Sequence, residues 1–272
     1  MVNRDVTKML ISEFLGPFAL VFMGVGAIIQ TQGNDLVAIA FAHGLGLGLV
    51  ILAAGHYSGG HYNPAVTIGF WAARRIETKL AIYYIIAQCL GALAAAGALV
   101  LVYPDLDRNK VNLGVPAVGK SLVTGESFSV ARPFVIEIIL TFFLMFVIFG
   151  TAVDIHSGGR MIAGLAIGLA VTMDIFAGGV VSGAAMNPAR WLGPAIVQQD
   201  WSDFWIWWIG PIIGAVAAAL LYNYVLMGER ADTAPSRVTI DESPAQELER
   251  EAFDQTQRQQ PKTRSRRAQR RR

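Results

Sequence analysis

Two copies of one tripeptide, Asn63-Pro64-Ala65 and Asn187-Pro188-Ala189, each open an apolar segment too short to cross a bilayer, 64–73 and 188–198. A helix rises about 1.5 Å per residue, so each segment covers only about half of a hydrocarbon core about 30 Å thick. Six other apolar stretches are long enough to span it: 9–29, 36–55, 80–102, 133–153, 161–181 and 204–227. The chain is 54% hydrophobic and 15% charged, against roughly 25% charged in a soluble domain. Much of its charge is gathered after residue 228, so the remainder is a membrane-embedded, all-α body.

The two tripeptides belong to a longer internal repeat. Adding 124 to a residue number takes Glu13 onto Glu137, Phe18 onto Phe142, Gly44 onto Gly168, Ser58-Gly59 onto Ser182-Gly183 and the first tripeptide onto the second. A common register over five separate places is not chance. Each copy holds three full spans, an odd number, so the second enters the membrane from the opposite side. The expected fold has six transmembrane helices plus two re-entrant half-helices in an inverted repeat. Repeat one covers about residues 8–102 and repeat two about 132–227, within a channel domain over 1–228.

The tripeptide suits the point where two half-helices meet. Bare backbone at membrane depth is tolerated only inside protein or beside a water-filled cavity. Pro64 and Pro188 fit the first helical position, where a missing N–H costs nothing. Asn63 and Asn187 fit the cap before it, accepting from the backbone with the amide oxygen and turning the NH2 to the pore. Ala65 and Ala189 are small enough for the two starts to abut. Two amide donors and two positive helix ends then face one point. Water oxygens accept hydrogen bonds there, and cations, hydronium included, are repelled.

The segments Ser58-Gly59-Gly60-His61-Tyr62-Asn63-Pro64-Ala65-Val66-Thr67 and Ser182-Gly183-Ala184-Ala185-Met186-Asn187-Pro188-Ala189-Arg190 make the chain similar to the aquaporin, or major intrinsic protein, family over about residues 8–227. The exclusion of charge argued above is the general behaviour of aquaporin-type pores. The resemblance implies a homotetramer with one pore per subunit, no catalysis and no cofactor. It also implies a selectivity filter, which by position from the two motifs falls on His43, Ile175, Ala184 and Arg190. A fixed cation at Arg190 repels cations and donates to passing oxygens.

The other three filter residues depart from the strict water-channel pattern, which has Phe first and His second, and from the glycerol pattern, which has Trp first. The set is similar to that of some plant tonoplast intrinsic proteins, whose relatives pass water and often ammonia, urea or hydrogen peroxide. Trp191 and Ala195 stand where glycerol channels resemble Asp and a basic residue, and Trp207-Trp208 matches the aromatic pair of water channels. Trp191 itself fits neither class. The expected function is a passive channel for water and small neutral solutes such as ammonia, closed to ions and protons. A glycerol or urea facilitator of the same fold is the alternative. An ion-coupled transporter is a more distant one, since only Glu13, Glu137 and Asp174 are acidic within the spans.

The remaining polar residues have plain readings. Glu13 and Glu137, matched in the repeat, are expected as scaffold carboxylates that accept from loop N–H groups, with a proton relay as the rival role. Asp174 has no repeat partner and is expected to hydrogen-bond locally rather than face the outer vestibule. His61 is read as pore-lining and His56 as structural; with no carboxylate or thiol beside them, no metal site is expected. Cys89, the single cysteine, is read as a small buried hydrophobe. Glycines at 44, 46, 48, 164 and 168 suit close helix contact.

Lys and Arg gather at Arg4 and Lys8, at Arg74, Arg75 and Lys79, at Arg160, and after the sixth span. With six spans these places share one side, which puts both termini in the cytoplasm. The short N-terminus and compact loops point to a plasma (cell inner) membrane. Segment 229–272 alternates charge and ends in an Arg-rich run, and is expected as a disordered, solvated cytoplasmic tail with no nucleic-acid role.

Overall fold

The computed structural model describes residues 4–157 and 159–228, so the expected tail lies outside the described residues. Six helices are long and apolar enough to cross a membrane. They are α1 (Arg4–Thr31), α2 (Leu36–Ser58), α4 (Thr78–Val102), α6 (Ala131–Ile148), α7 (Ala163–Ser182) and α9 (Ile206–Leu220). The half-helices are α3 (Pro64–Ala72) and α8 (Pro188–Gln198), and a single turn and a half, α5 (Asp105–Lys110), lies in the loop between the repeats. An isolated β bridge pairs Lys120 with Ser127.

The helix ends are closed as their sequences dictate. Asp35 caps α2, its Oδ1 accepting from Ala38 N at 2.9 Å. Gly59 and Gly183, matched in the repeat, end α2 and α7 with φ of 89° and 79°, a left-handed conformation that glycine adopts without steric cost. Asp35→Ala removes this side-chain cap, with an expected cost of about 1 kcal/mol. Thermal unfolding in detergent measures it, and an unchanged midpoint shows that packing alone holds that end.

Several helices run past the apolar stretches that announce them. The first begins at Arg4, before its hydrophobic run starts. Hydropathy marks the hydrocarbon core, whereas a helix continues through the interface wherever its backbone still bonds to itself. A second difference is that α6 and α9 end in wider π-helical turns, Phe149–Val153 and Leu221–Leu226. Those turns meet through Phe149 and Tyr222, ring centroids 5.9 Å apart. The corresponding ends of α1 and α4 carry no such turn.

The packing repeats about a twofold relation. Helix α1 lies against α2 and α4, just as α6 lies against α7 and α9. Each half-helix is gripped by the last span of the other repeat: α3 by α9, and α8 by α4. On the axis itself α2 crosses α7, where Gly44 and its repeat mate Gly168 face each other's carbonyl oxygens. Small residues fill the interior, with Ala92, Ala95, Ala96, Ala215, Ala218 and Ala219 all buried. Large apolar side chains point outward, among them Ile11, Leu49, Ile86, Phe143 and Leu169. Small inside and large outside is the arrangement of helices packed in lipid.

Candidate functional site

The two half-helices start tip to tip, and their caps explain how. Asn63 is extended, at φ −158°, and its Oδ1 accepts from Ala65 N at 2.9 Å. Asn187 does the same at φ −147°, accepting from Ala189 N at 3.0 Å. Each asparagine then reaches across. Asn63 Nδ2 donates to Met186 O at 2.8 Å and Asn187 Nδ2 donates to Tyr62 O at 3.0 Å. One of the two amide hydrogens of each asparagine is therefore engaged by the opposed loop, which amends the expectation that the whole NH2 faces the pore. Tyr62 and Met186, whose carbonyls accept these bonds, both adopt left-handed backbone, with φ of 51° and 52°. Non-glycine residues rarely adopt it, so the loops must be held.

Two carboxylates lie behind them. Glu13 Oε1 accepts from Ser58 Oγ at 2.6 Å and His61 N at 3.0 Å, while Oε2 accepts from Tyr62 N at 2.8 Å and Gln88 Nε2 at 2.7 Å. Glu137 Oε1 accepts from Ser182 Oγ at 2.6 Å and Ala185 N at 2.8 Å, with Met186 N at 2.7 Å on Oε2. Both side chains are fully buried. Every loop donor to Glu137 is the repeat mate of a donor to Glu13. The carbonyls of Ser58 and Ser182 are covered alike, by Tyr84 Oη at 2.8 Å and Trp207 Nε1 at 3.1 Å.

Gln88 breaks the symmetry: it joins Glu13 to Thr67 Oγ1, at 2.9 Å. The second repeat has Trp191 where the first has Thr67. Trp191 is buried, stacked at 6.1 Å on Trp207 and edge-on to Trp201 at 5.8 Å. The residue that fitted neither class is thus packing material behind the pore. Gln88 was missed in the sequence, where one amide in a long apolar run was its only signal.

Beside the tips lies a cavity of about 20 Å³. Its lining includes His43, Ile175, Ala184 and Arg190 together with Asn63 and Asn187, so residues from α2, α7, both loops and α8 converge there. Leu20, Leu47, Leu144 and Val171 complete the apolar wall, and sequence spacing alone did not mark them. His43 Nδ1 lies 2.9 Å from Ile39 O. A carbonyl only accepts, so Nδ1 carries the proton and Nε2, which has no protein partner, presents a lone pair in the neutral ring. Arg190 Nη1 donates to Gly114 O at 2.8 Å.

Four other residues stand apart from that cavity. His61 is stacked on Phe70 at 4.2 Å, with Nδ1 3.2 Å from Thr67 Oγ1. His56 is exposed against Tyr57. Asp174 is buried, and its Oδ2 finds no hydrogen-bond partner. Cys89 is half-buried rather than buried, because its face of α4 turns partly outward. Among the described residues no three His, Cys, Asp or Glu side chains are grouped to hold a metal.

Two half-helices meeting inside a six-span bundle, beside a cavity with room for about one water, define a membrane channel built on re-entrant helices. The chain belongs to the major intrinsic protein family, whose profile matches residues 1–222. It is similar to Aquaporin-4 of Mus musculus, 39% identical over 224 residues that cover 80% of this chain and 67% of that protein. It is likewise similar to the probable aquaporin TIP3-2 of Arabidopsis thaliana, 40% identical over 241 residues, 83% of this chain and 86% of that one. Among solved structures, the aquaglyceroporin from Plasmodium falciparum superposes with a TM-score of 0.73 at 26% identity, over 84% of this chain and 99% of its own. The protein is an integral, multi-pass membrane channel and not an enzyme.

Proposed function

We propose that this chain is a passive water channel that also passes ammonia and refuses ions and protons. The cavity of about 20 Å³ carries this reading. A single water needs roughly 10–15 Å³ by the same measure, so solutes pass one at a time. At that point His43 Nε2 offers an acceptor, Arg190 a fixed positive charge, and Ala184 little bulk. Ile175 adds an apolar wall, which favours a weakly hydrated molecule such as ammonia over an ion. The free hydrogens on Asn63 and Asn187 orient water at the half-helix tips. Positive helix ends there oppose a cation that has shed its water.

Within this reading Glu13 and Glu137 are scaffold carboxylates, and His61 lines the cytoplasmic approach. Family resemblance supports a homotetramer with one pore per subunit. The distribution of Lys and Arg supports cytoplasmic termini, and the compact loops support a plasma (cell inner) membrane. The similarity to a protein named an aquaglyceroporin makes glycerol the rival solute, and one experiment separates them.

Stopped-flow swelling of proteoliposomes is expected to show water permeability well above empty vesicles, a smaller ammonia flux, and little glycerol flux. Water permeability no higher than that of empty vesicles refutes the reading. Ile175→His adds a hydrogen-bonding wall, and His43→Phe adds bulk while removing the acceptor. Both are expected to lower the ratio of ammonia to water by about tenfold, the factor that about 1.4 kcal/mol represents. Unchanged ratios in both variants place the selectivity elsewhere.

A further inference from the structure

Arg190 stands at the cavity on a single tether. Its guanidinium carries five N–H donors, yet its one hydrogen bond to the described protein is Nη1 to Gly114 O, and Nε is buried with no partner. In a cavity with room for about one water, a shift of the guanidinium by a fraction of its own width changes what fits. The position of the Gly114 carbonyl therefore matters as much as the arginine does.

That carbonyl belongs to an improbable turn. Asn112, Leu113 and Gly114 have φ of 47°, 47° and 62° in succession, a left-handed run that side-chain-bearing residues seldom adopt. Two anchors hold it. Leu113 is fully buried and packs with Val21, Val25, Ile29 and Leu99. On the outer side, Asn112 Nδ2 donates to Asp200 Oδ2 at 2.7 Å. Asp200 lies just beyond α8, its N–H bonded to Ala195 O at 3.0 Å. A weaker contact runs alongside, Gln198 Nε2 to Asn109 Oδ1 at 3.3 Å. Helix α8 carries Arg190 in its first turn and leads into Asp200 at its other end. The helix, the Asp200–Asn112 bond, the left-handed turn and the Gly114–Arg190 bond thus form a closed ring.

We propose that Asn112 and Asp200, which line no pore, are positioning residues for Arg190: their hydrogen bond closes this ring, holds the Gly114 carbonyl in place and thereby determines which neutral solutes pass. The inference rests on the reading of Arg190 as part of the selectivity filter. Opening the ring at its exposed side frees the turn to relax, and the guanidinium follows its only tether. Water, the smallest solute, is little affected. Larger solutes respond, because they are the ones that test the width.

The test uses the full chain in proteoliposomes, with water, urea and glycerol as probes. Asp200→Ala and Asn112→Ala are each expected to raise the ratios of urea and glycerol to water by about two- to tenfold, the factor that one lost hydrogen bond represents. The exchange variant, Asn112→Asp with Asp200→Asn, reverses donor and acceptor and is expected to return the wild-type ratios. Asp tolerates left-handed backbone nearly as well as Asn, so the turn survives the exchange. Arg190→Ala serves as the control. If it changes the ratios while both alanine variants keep them, the ring is wrong and the filter stands. If Arg190→Ala also leaves them unchanged, both readings fall. Equal loss of water and solute flux, or failure of the exchange to restore the ratios, reduces the pair to a structural role and overturns the inference.

Discussion

Glu137→Ala is expected to abolish water flux and to lower the thermal midpoint sharply. The side chain accepts from Ser182 Oγ, Ala185 N and Met186 N, all within 2.8 Å and all buried. Alanine leaves three donors without partners, at roughly 1–3 kcal/mol for each. Water cannot easily replace the carboxylate at this depth. The loss is also local to the pore. Met186 is left-handed at φ 52°, and its carbonyl receives the Asn63 amide. Once that loop relaxes, the opposed tips lose their mutual bonds.

Glu137→Gln separates charge from shape. An amide has one accepting oxygen, and its NH2 confronts a donor, so the glutamine variant is expected to lie between wild type and alanine. The checks are unfolding in detergent and permeability per reconstituted copy. A Glu137→Ala protein with both properties intact would show that the loop holds itself.

Gly168→Leu is expected to yield no folded, monodisperse protein. A Cβ at Gly168 meets the Gly44 carbonyl, and one at Gly44 meets the Gly168 carbonyl. Nearby, a Cβ on Gly48 would lie 2.7 Å from Gly164 O. At Gly168 the nearest atoms are all backbone, so no side chain can turn aside there. The cost is expected to be at least about 3 kcal/mol, the upper end of the range for overpacking a core. Gly97→Leu on α4 is the control, because a Cβ there has nothing within 4 Å. It is expected to fold and, by helix propensity, to gain up to about 1 kcal/mol. Equal yields for the two variants would mean that the crossing is looser than its geometry.

Much of this architecture is legible without coordinates, for a physical reason. A bilayer requires long apolar runs and forbids unpaired backbone, so six runs and two half-length ones leave few arrangements. The register between Glu13 and Glu137, and between Asn63 and Asn187, then implies an inverted pair. Those are properties of spacing, and spacing is what a sequence states directly. The π-helical turns at Phe149–Val153 and Leu221–Leu226 are different. They depend on which rings meet across two helices, and no local pattern specifies that.

The two Asn-Pro-Ala starts illustrate the division. Sequence alone determined that each begins a capped half-helix, because Asn, Pro and Ala have those preferences in any context. Only the tertiary structure decided that each asparagine spends one hydrogen on the carbonyl before the other, since that bond joins residues 63 and 186 from opposite repeats. It likewise decided that Trp191 stacks on Trp207 behind the pore and that Gly114 holds Arg190. Each of these is a contact between different segments of the chain. Periodicity reports which face of a helix is apolar; what that face meets is settled when the helices close around it.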